Sequence, residues 1–438
     1  MCMNKQEQKG LVPKLRFPEF REWKPWRKIK LIDTSDKKTK WSFIGGPFGS
    51  NLKSSDYVEH GVRIIQLQNI GDGVFFNDYK IFTSIEKANE LLSNNIYPGD
   101  IILSKMGDPV GRACLIPDLH DRYVMCSDGI RLVVNENENS KYFVYLLINS
   151  VFFRSLVEKS ATGSTRKRIG LDELKKLPLY VPTKSEQQKI ADCLASLDEL
   201  ILAQAQKLEA LKSHKKGLMQ ELFPAKGKTI PKLRFPEFLE KEKWDSKLLG
   251  DLSQIVRGGS PRPIDSYITS EVNGLNWLKI ADVDKQSKYV TSTKEKVLST
   301  ALNKTREVYP GDLIMSNSMS FGRPYILKIK SCIHDGWIAV TQINEQTSRD
   351  YLYYLILSPE SQEYFVDNAA GSGVQNLNAD IIKLLPVPLP KYSEQQKIAN
   401  CLSSIDELIT AQNQKIDTLK AHKKGLMQQL FPIMDEVM

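Results

Sequence analysis

The sequence contains little cysteine, and what it has is scattered. The six cysteines include no CxxC pair, and Cys193 and Cys401 merely occupy the same place in two copies of a repeat. A disulfide framework or a cysteine-rich zinc site is therefore excluded, and we expect a reduced, cytoplasmic protein with free thiols.

Long hydrophobic runs are also missing. No apolar stretch approaches the ~18 residues of a membrane span, and the N-terminus lacks the apolar core of a secretory signal. We therefore expect no membrane partner.

Motifs for catalysis are absent as well. The sequence has no NPPF-like or DPPY-like amino-methylation motif and no GxxxxGK[ST] loop for a nucleotide. The five histidines do not cluster with cysteines or acidic residues at metal-ligand spacing. We predict no catalytic residues, no metal and no cofactor bound by this chain.

Acidic residues are outnumbered, which gives a net charge of +9 and a pI near 9.0. A basic balance favours an acidic partner such as nucleic acid, although charge alone decides little.

A long repeat is the main positive feature. The 40 residues from Ser185 return from Ser393 with 30 identities, and PKLRFPEF occurs from Pro13 and again from Pro231. Self-similarity on this scale indicates a duplicated structural unit with approximate two-fold symmetry. S-x-x-Q at Ser185 and Ser393 is typical of a capping box, and Pro224 and Pro432 end the repeats.

Each 40-residue repeat predicts one long helix with a heptad seam. Its apolar steps alternate between four and three residues, interrupted by Gln204 and Lys215 and by their equivalents Gln412 and Lys423. The predicted helix-pairing residues are Ile190, Leu194, Leu197, Ile201, Leu208, Leu211, Leu218, Ile398, Leu402, Ile405, Ile409, Ile416, Leu419 and Leu426.

Lysine in the seam favours an antiparallel pair. A parallel pair would set Lys215 against Lys423, which is costly, whereas antiparallel pairing places Lys215 near Ile405 with its ammonium group in water. The C-terminal helix would then close the first domain and bring Phe431 close to the N-terminus. The alternative is two unrelated helices, each docked on its own neighbour.

The segments between the helices predict a mixed α/β (α+β) fold that occurs twice. Strand-like runs follow Gly61, Ile96 and Gly129 in the first insert, and Gly274, Val308 and Gly336 in the second. YPGD forms a turn in both copies. YFVYLLINSVFF and YLYYLILSPESQEYF predict matching helices.

Polar and basic loops at matching places in both inserts are the candidate contacts. They are GGPFGSNLKSS, SKMGDPVGR and ATGSTRKR in the first copy, and RGGSPRP, SNSMSFGR and AAGSGVQN in the second. Such residues suit phosphates and base edges, although each loop alone could be a solvated turn. The predicted DNA-binding residues are Lys53, Lys105, Arg112, Ser164, Thr165, Arg166, Lys167, Arg168, Arg257, Arg262, Lys279, Asn317, Arg323, Ser372, Gln375 and Asn376.

The layout resembles the specificity subunit of type I restriction–modification enzymes. The resemblance is carried by LPLYVPTKSEQQKIADCL from Leu177 and LPVPLPKYSEQQKIANCL from Leu385, by GDIILSKMG and GDLIMSNSM, and by the GST-containing loop. It implies target recognition domains at 1–184 and 225–392, a central helix at 185–224 and a C-terminal helix at 393–438.

The resemblance further implies a non-catalytic subunit that reads a bipartite, asymmetric double-stranded DNA target, with the helices setting the spacer. Two modification subunits would carry S-adenosylmethionine, and restriction subunits would use ATP and Mg²⁺. Two other interpretations stay open from the residues alone. They are a stand-alone enzyme with two DNA-binding domains, and a scaffold joining two protein-binding modules.

Overall fold

The computed structural model describes residues 11–284, 287–317, 322–369 and 377–432. The chain divides into two compact units. Unit 1 comprises Met1–Gln204 and Lys415–Met438, and unit 2 comprises Ala205–Gln414. Each unit thus contains one insert, the first half of one long helix and the second half of the other.

Unit 1 contains short strands followed by helices. The strands are β1 (Arg27–Lys30), β2 (Phe43–Gly45), β3 (Tyr57–Val58), β4 (Val62–Ile65), β5 (Ile81–Thr83), β6 (Asn95–Ile96), β7 (Ile101–Ser104), β8 (Ala113–Leu115), β9 (Tyr123–Met125), β10 (Gly129–Leu132) and β11 (Pro178–Val181). The helices are α1 (Ile85–Glu90), α2 (Lys141–Ile148), α3 (Val151–Ser160), α4 (Leu171–Lys176) and α5 (Lys184–Leu222), of which the last continues into unit 2.

Unit 2 repeats this order. Its strands are β12 (Asp245–Leu248), β13 (Gln254–Arg257), β14 (Ile268–Thr269), β15 (Leu275–Leu278), β16 (Tyr289–Val290), β17 (Glu295–Val297), β18 (Arg306–Val308), β19 (Leu313–Ser316), β20 (Pro324–Leu327), β21 (Ser331–Ile333), β22 (Trp337–Thr341) and β23 (Pro386–Leu389). Its helices are α6 (Leu249–Leu252), α7 (Arg349–Ile356), α8 (Pro359–Asn368), α9 (Ala379–Lys383) and α10 (Tyr392–Leu430), of which the last continues into unit 1.

The two units share one sheet topology. The first sheet has the order β2-β10-β7-β8 in unit 1 and β13-β22-β19-β20 in unit 2, where β16 adds to the edge beside β20. The second sheet has the orders β3-β5-β4-β9-β6 and β14-β17-β15-β21-β18. A separate ribbon joins β1 to β11 and β12 to β23. The prediction of a duplicated α/β insert is confirmed.

The first sheet lies between two apolar layers. On β7 the side chains of Ile101 and Leu103 belong to the core under α2 and α3, whereas Ile102 belongs to the core shared with the second sheet. On β19, Leu313 and Ile314 divide in the same way. Strand alternation therefore buries both faces, and loops at the strand ends are held on a rigid support.

The YPGD turns start β7 and β19 as predicted. The Asp100 Oδ2 accepts the Tyr97 N–H at 3.0 Å, and Asp312 does the same for Tyr309 at 2.8 Å. Burial raises the pKa of both carboxyl groups, and at Asp100 the guanidinium of Arg131 opposes that rise. Each turn thus holds a partly desolvated carboxyl group.

The segments predicted as matching helices are each broken in two. In unit 1 the break lies between α2 and α3, where the Ser150 Oγ accepts the Phe153 N–H and starts a new helix. In unit 2 the Ser358 Oγ accepts the Ser361 N–H in the same manner. The segments are helical and match between the units as predicted, and each contains a break because serine at an N-cap favours a new start.

The long helices run antiparallel within each unit. In unit 1 the Lys423 Nζ lies 2.6 Å from Asp198 Oδ1, while the Leu15 N–H, beside the start of α5, donates to Gln429 O. In unit 2 the Lys215 Nζ lies 2.6 Å from Asp406 Oδ1, and the Leu233 N–H donates to Glu221 O. The start of one helix therefore packs beside the end of the other, as predicted.

The seam lysines are not solvated as we expected. The Lys215 ammonium group pairs with Asp406 and lies 5.3 Å from the ring centre of Tyr354, whose hydroxyl donates to Asp406. In unit 1 the hydroxyl of Tyr142 donates to the Asp198 that binds Lys423. Paired aspartates explain how lysine fits an otherwise apolar seam. The residues predicted for helix pairing are all buried or half-buried.

The repeated PKLRF segment clamps the start of each long helix. Arg16 donates from Nε to Glu186 Oε1 at 2.8 Å and from Nη2 to Glu186 Oε2 at 2.7 Å. Arg234 and Glu394 form the same bidentate pair in unit 2. These four side chains are at most 6% exposed, so the pairs are buried.

The predicted capping box does not form at Gln188, which donates forward to Asp192. The neighbouring Gln187 is buried instead, accepting the Ser140 N–H and donating to Pro182 O. Gln395 makes the equivalent bonds in unit 2. The repeated SEQQ segment therefore ties the helix to its insert through its glutamate and first glutamine.

Candidate nucleic-acid interface

Three predicted loops of unit 1 gather at one end of the first sheet. Gly45 pairs with Ile130 and Ser104 pairs with Gly129, so β2 and β7 end together where β10 begins. The loops after Gly45 and Ser104 therefore leave from the same edge. The loop at 161–168 joins them, since the Gly107 N–H donates to Lys167 O at 3.2 Å.

The predicted contact residues of unit 1 differ in exposure. Exposed residues are Lys53, Ser164, Thr165, Arg166 and Arg168, and half-buried residues are Lys105, Arg112 and Lys167. Lys167 pairs with Glu158. The Nε of Arg112 is buried and has no hydrogen-bond acceptor among the described residues. The guanidinium group of Arg112 lies against Gly107, in the loop that follows β7. Arg112 therefore supports this loop from behind, and the outer surface is formed by the exposed set.

The same edge exists in unit 2. Arg257 pairs with Ile338 and Ser316 pairs with Trp337, so β13 and β19 end where β22 begins. Among the predicted residues, Arg257 and Arg262 are exposed, Lys279 and Arg323 are half-buried, and Asn317 is buried. Ser372, Gln375 and Asn376 lie outside the described residues.

Asp335 joins the loops of unit 2. Its carbonyl oxygen accepts the Arg257 Nε–H at 3.2 Å and an Asn317 Nδ2–H at 3.1 Å. Its carboxylate accepts the Ser260 hydroxyl at 2.9 Å and lies 3.8 Å from Arg262 Nη2. Three residues predicted separately thus converge on one aspartate that the sequence analysis did not single out.

Histidine completes this arrangement. The His334 Nδ1 accepts the Gly336 N–H at 2.9 Å, and its Nε2 lies 3.0 Å from Asp335 Oδ1. Because Nδ1 is an acceptor, the ring proton of the neutral imidazole belongs on Nε2, facing the carboxylate. His334 therefore helps to fix the rotamer of Asp335.

Asp128 lies near the same sheet edge in unit 1, one residue before the partner of Ser104, whereas Asp335 lies two residues before the partner of Ser316. The carboxylate of Asp128 pairs with Arg168, and its carbonyl oxygen accepts the Lys105 N–H at 2.6 Å. Both aspartates directly precede a glycine: Gly129 is the first residue of β10, and Gly336 is followed by β22, which begins at Trp337. This repeated Asp-Gly pair was the signal by which the sequence could have revealed them.

A cleft of about 1000 Å³ adjoins the edge of unit 2. It brings together Arg262 and Lys279 with the ring of Trp277, which is buried against His334. The Lys279 Nζ donates to Glu295 on the neighbouring strand β17. Arg323 is not part of this lining and instead lies 5.7 Å from the ring centre of Tyr325. The cations and acceptors of this cleft suit the edges of nucleobases.

Three cysteines of the two units are buried. Burial raises the thiol pKa of Cys114 to about 12 and those of Cys126 and Cys332 to about 11, so these thiols are unreactive. Across residues 11–284, 287–317, 322–369 and 377–432, no group of three or more His, Cys, Asp or Glu side chains is placed to hold a metal. Within these ranges no helix is both long enough and apolar enough to cross a membrane.

Known proteins share both the sequence pattern and the fold. A Methanocaldococcus jannaschii protein, named as the type I restriction enzyme MjaX specificity subunit, is 25% identical over 385 residues, covering 85% of this chain and 86% of its own. The HindI specificity subunit of Haemophilus influenzae is 22% identical over 403 residues, which are 76% of this chain and 87% of that protein.

Solved structures show the same fold at low identity. The type I restriction–modification S subunit from M. genitalium superposes with a TM-score of 0.55 at 17% identity, covering 97% of this chain and 100% of that one. A chain from a structure on complex assembly and conformational transition of the type I R-M system gives a TM-score of 0.60 at 18% identity, covering 93% and 97%.

The family profile covers both inserts. Residues 50–213 and 241–421 each match the type I restriction modification DNA specificity domain, and together they form most of the chain. The match thus includes most of both loop-bearing sheets and most of both long helices. This chain therefore belongs to the family of type I restriction–modification DNA specificity subunits.

Proposed function

We propose that the chain directs a restriction–modification complex to a bipartite, asymmetric DNA sequence, with each unit reading one half. One observation carries the proposal. The two units have the same sheet topology, yet the loops at the same sheet end differ in sequence. Two copies of one fold that carry different loops are suited to recognise two different sequences in the same kind of ligand.

The read molecule is double-stranded DNA. The loops at each edge carry arginine, lysine, serine and asparagine or glutamine side chains, which are donors for phosphates and base edges. The net charge of +9 is favourable for approach to a polyanion. In this proposal the predicted contact residues of each edge bind the half-site of their own unit.

The long helices act as the spacer between half-sites. Each helix has 39 residues and contributes to both units, which makes it a continuous element along the chain. At ~1.5 Å per residue, such a helix is roughly 58 Å long. Domains at roughly 1–184 and 225–392 would then read sequence, and the helices would leave an unread stretch between.

Catalysis belongs to partner subunits in this proposal. Two modification subunits would bring S-adenosylmethionine and the adenine methyltransferase site, and restriction subunits would bring ATP and Mg²⁺. The outer helix faces are the proposed docking surfaces, because a partner that binds twice needs the same surface twice. The exposed His214 and Lys216 recur as the exposed His422 and Lys424.

Purification of the tagged full chain from its source cell tests the assignment. We expect modification subunits to copurify, and we expect methylation of one bipartite sequence only when they are present. Turnover by the chain alone, with S-adenosylmethionine supplied, would contradict the non-catalytic role.

A domain exchange tests independent reading. Replacing residues 232–392 with another insert of the family should change one half of the methylated sequence and leave the other half intact. A parallel exchange of the first insert serves as the matched control. Changes in both halves from either exchange would oppose the proposal.

A further inference from the structure

Asp128 lies one residue before the partner of Ser104 in its sheet, and Asp335 lies two residues before the partner of Ser316. The two aspartates thus lie close to the same edge of the first sheet in their own units. Each carboxylate faces an exposed arginine, with side-chain exposure of 51% for Arg168 and 83% for Arg262. Each backbone carbonyl also ties down another recognition loop. Neither aspartate neutralises a buried cation, so ion pairing for stability alone does not explain them.

Ion pairs this exposed contribute little to folding. Their geometry has a different consequence. A guanidinium group has five N–H donors, and a carboxylate on one side leaves the other donors directed outward. The carboxylate also reduces the number of rotamers, which lowers the entropy lost when the arginine binds a ligand.

The carboxylate of Asp335 is itself held from two further sides. The Ser260 hydroxyl and the His334 ring both contact Oδ1, and the Asp335 N–H donates back to Ser260 Oγ at 3.3 Å. A supported side chain of this kind is what a recognition group requires if it is to discriminate between similar ligands. The cleft with Lys279 and Trp277 begins beside it.

We propose that Asp335 and Asp128 are positioning residues that aim arginines at base edges, Arg262 in unit 2 and Arg168 in unit 1, and so set discrimination in one half-site each. The ligand group is a pair of acceptors on one base edge, as guanine presents in the major groove. This inference rests on the proposed function, because it assumes that these edges read DNA.

The substitution Asp335→Asn in the full chain, assembled with its modification subunits, tests the inference. The change keeps the shape and the backbone contacts but removes the charge. Methylation rates are measured on the cognate duplex and on every single-base substitution of both half-sites. We expect discrimination to fall about tenfold, or ~1.4 kcal/mol, at one or more positions of one half-site.

Asp128→Asn is the matched control and should relax the other half-site only. Ser260→Ala should act in the same direction as Asp335→Asn, because it removes the support of the carboxylate while leaving the aspartate in place. Arg262→Lys should mimic Asp335→Asn, since an ammonium group cannot make a bidentate contact. The salt dependence of binding should stay unchanged for both asparagine variants, because neither removes a phosphate contact.

Three results would overturn the inference. They are wild-type discrimination in both asparagine variants, an effect on both half-sites from one substitution, and uniform weakening on all duplexes with an unchanged melting temperature. If the unsubstituted complex shows no sequence-directed methylation, the proposed function itself fails. That outcome is distinct from a specific wild type whose variants stay specific.

Discussion

The buried pair between Arg16 and Glu186 allows a sharp prediction about stability. The side chains are 5% and 1% exposed, and the guanidinium group also donates to the carbonyls of Trp23 and Lys24. In Arg16→Met the carboxylate stays buried, and among the residues that the structure describes its remaining side-chain donor is the Trp26 Nε1–H at 3.3 Å. Breaking a buried pair by removing one partner costs about 3–5 kcal/mol.

For a unit of this size, 1 kcal/mol lowers the melting temperature by roughly 2–4 °C. We therefore expect Arg16→Met to lower the melting temperature of unit 1 by about 10 °C, measured by scanning calorimetry. Hydrogen exchange should increase first at the start of α5, which this pair holds. Arg234→Met is the matched control, and should destabilise unit 2 instead.

The double variant Arg16→Met with Glu186→Met separates charge burial from packing. Replacing both partners removes the unpaired charge, so we expect it to regain at least half of the lost stability. A single variant that costs less than ~1 kcal/mol would refute the reasoning, since an exposed pair would cost that little. So would a double variant that is no more stable than the single one.

Three further predictions concern the helices and a turn. Lys423→Met should cost about 1–3 kcal/mol in urea unfolding by leaving Asp198 without its cation, and exchanging the two residues should restore most of this loss. Inserting one heptad into both helices adds ~10.5 Å, so the methylated half-sites should move apart by about three base pairs at ~3.4 Å each. An unchanged spacer would refute the proposal that the helices set the spacer length. Burial raises the pKa of Asp312 above its ordinary value of 3.8. Because the folded state holds that proton more tightly, the contribution of Asp312 to stability is present below pH 3.8 and falls as pH rises through the raised pKa. The free energy of unfolding of Asp312→Asn, relative to that of the wild type, should therefore increase as the pH rises through this range. Urea unfolding at several pH values measures it, and a difference that does not change with pH would contradict the prediction.

The long helices show how far periodicity alone can go. The heptad seam is visible in the residues, and the cost of placing Lys215 against Lys423 favoured an antiparallel pair. The partners of these lysines could not be read in the same way. Asp198 and Asp406 lie off the seam, and the tyrosines that complete each cluster come from different turns of α2 and α7. Such contacts depend on how an insert packs against a helix.

The recognition edges show the opposite case. Residue type and repeat position marked the loops, but they could not tell that Arg257, Arg262 and Asn317 share one aspartate. Asp335 lies at least 18 residues from each of them in sequence, just before a strand that only sheet pairing brings to this edge. The burial of Asn317 and the position of Arg112 behind its loop were likewise invisible in the residue pattern.

By itself the sequence determined that this chain is built twice, that each copy includes a long amphipathic helix, and that the two inserts share a fold but not their loops. These features follow from local propensity and periodicity, which depend on neighbours along the chain. Tertiary structure decided which groups meet. The clamp between Arg16 and Glu186, the Asp–Lys pairs across the helices and the convergence of loops on Asp128 and Asp335 all join distant segments. Their energies depend on burial and geometry, which exist only once the chain has packed.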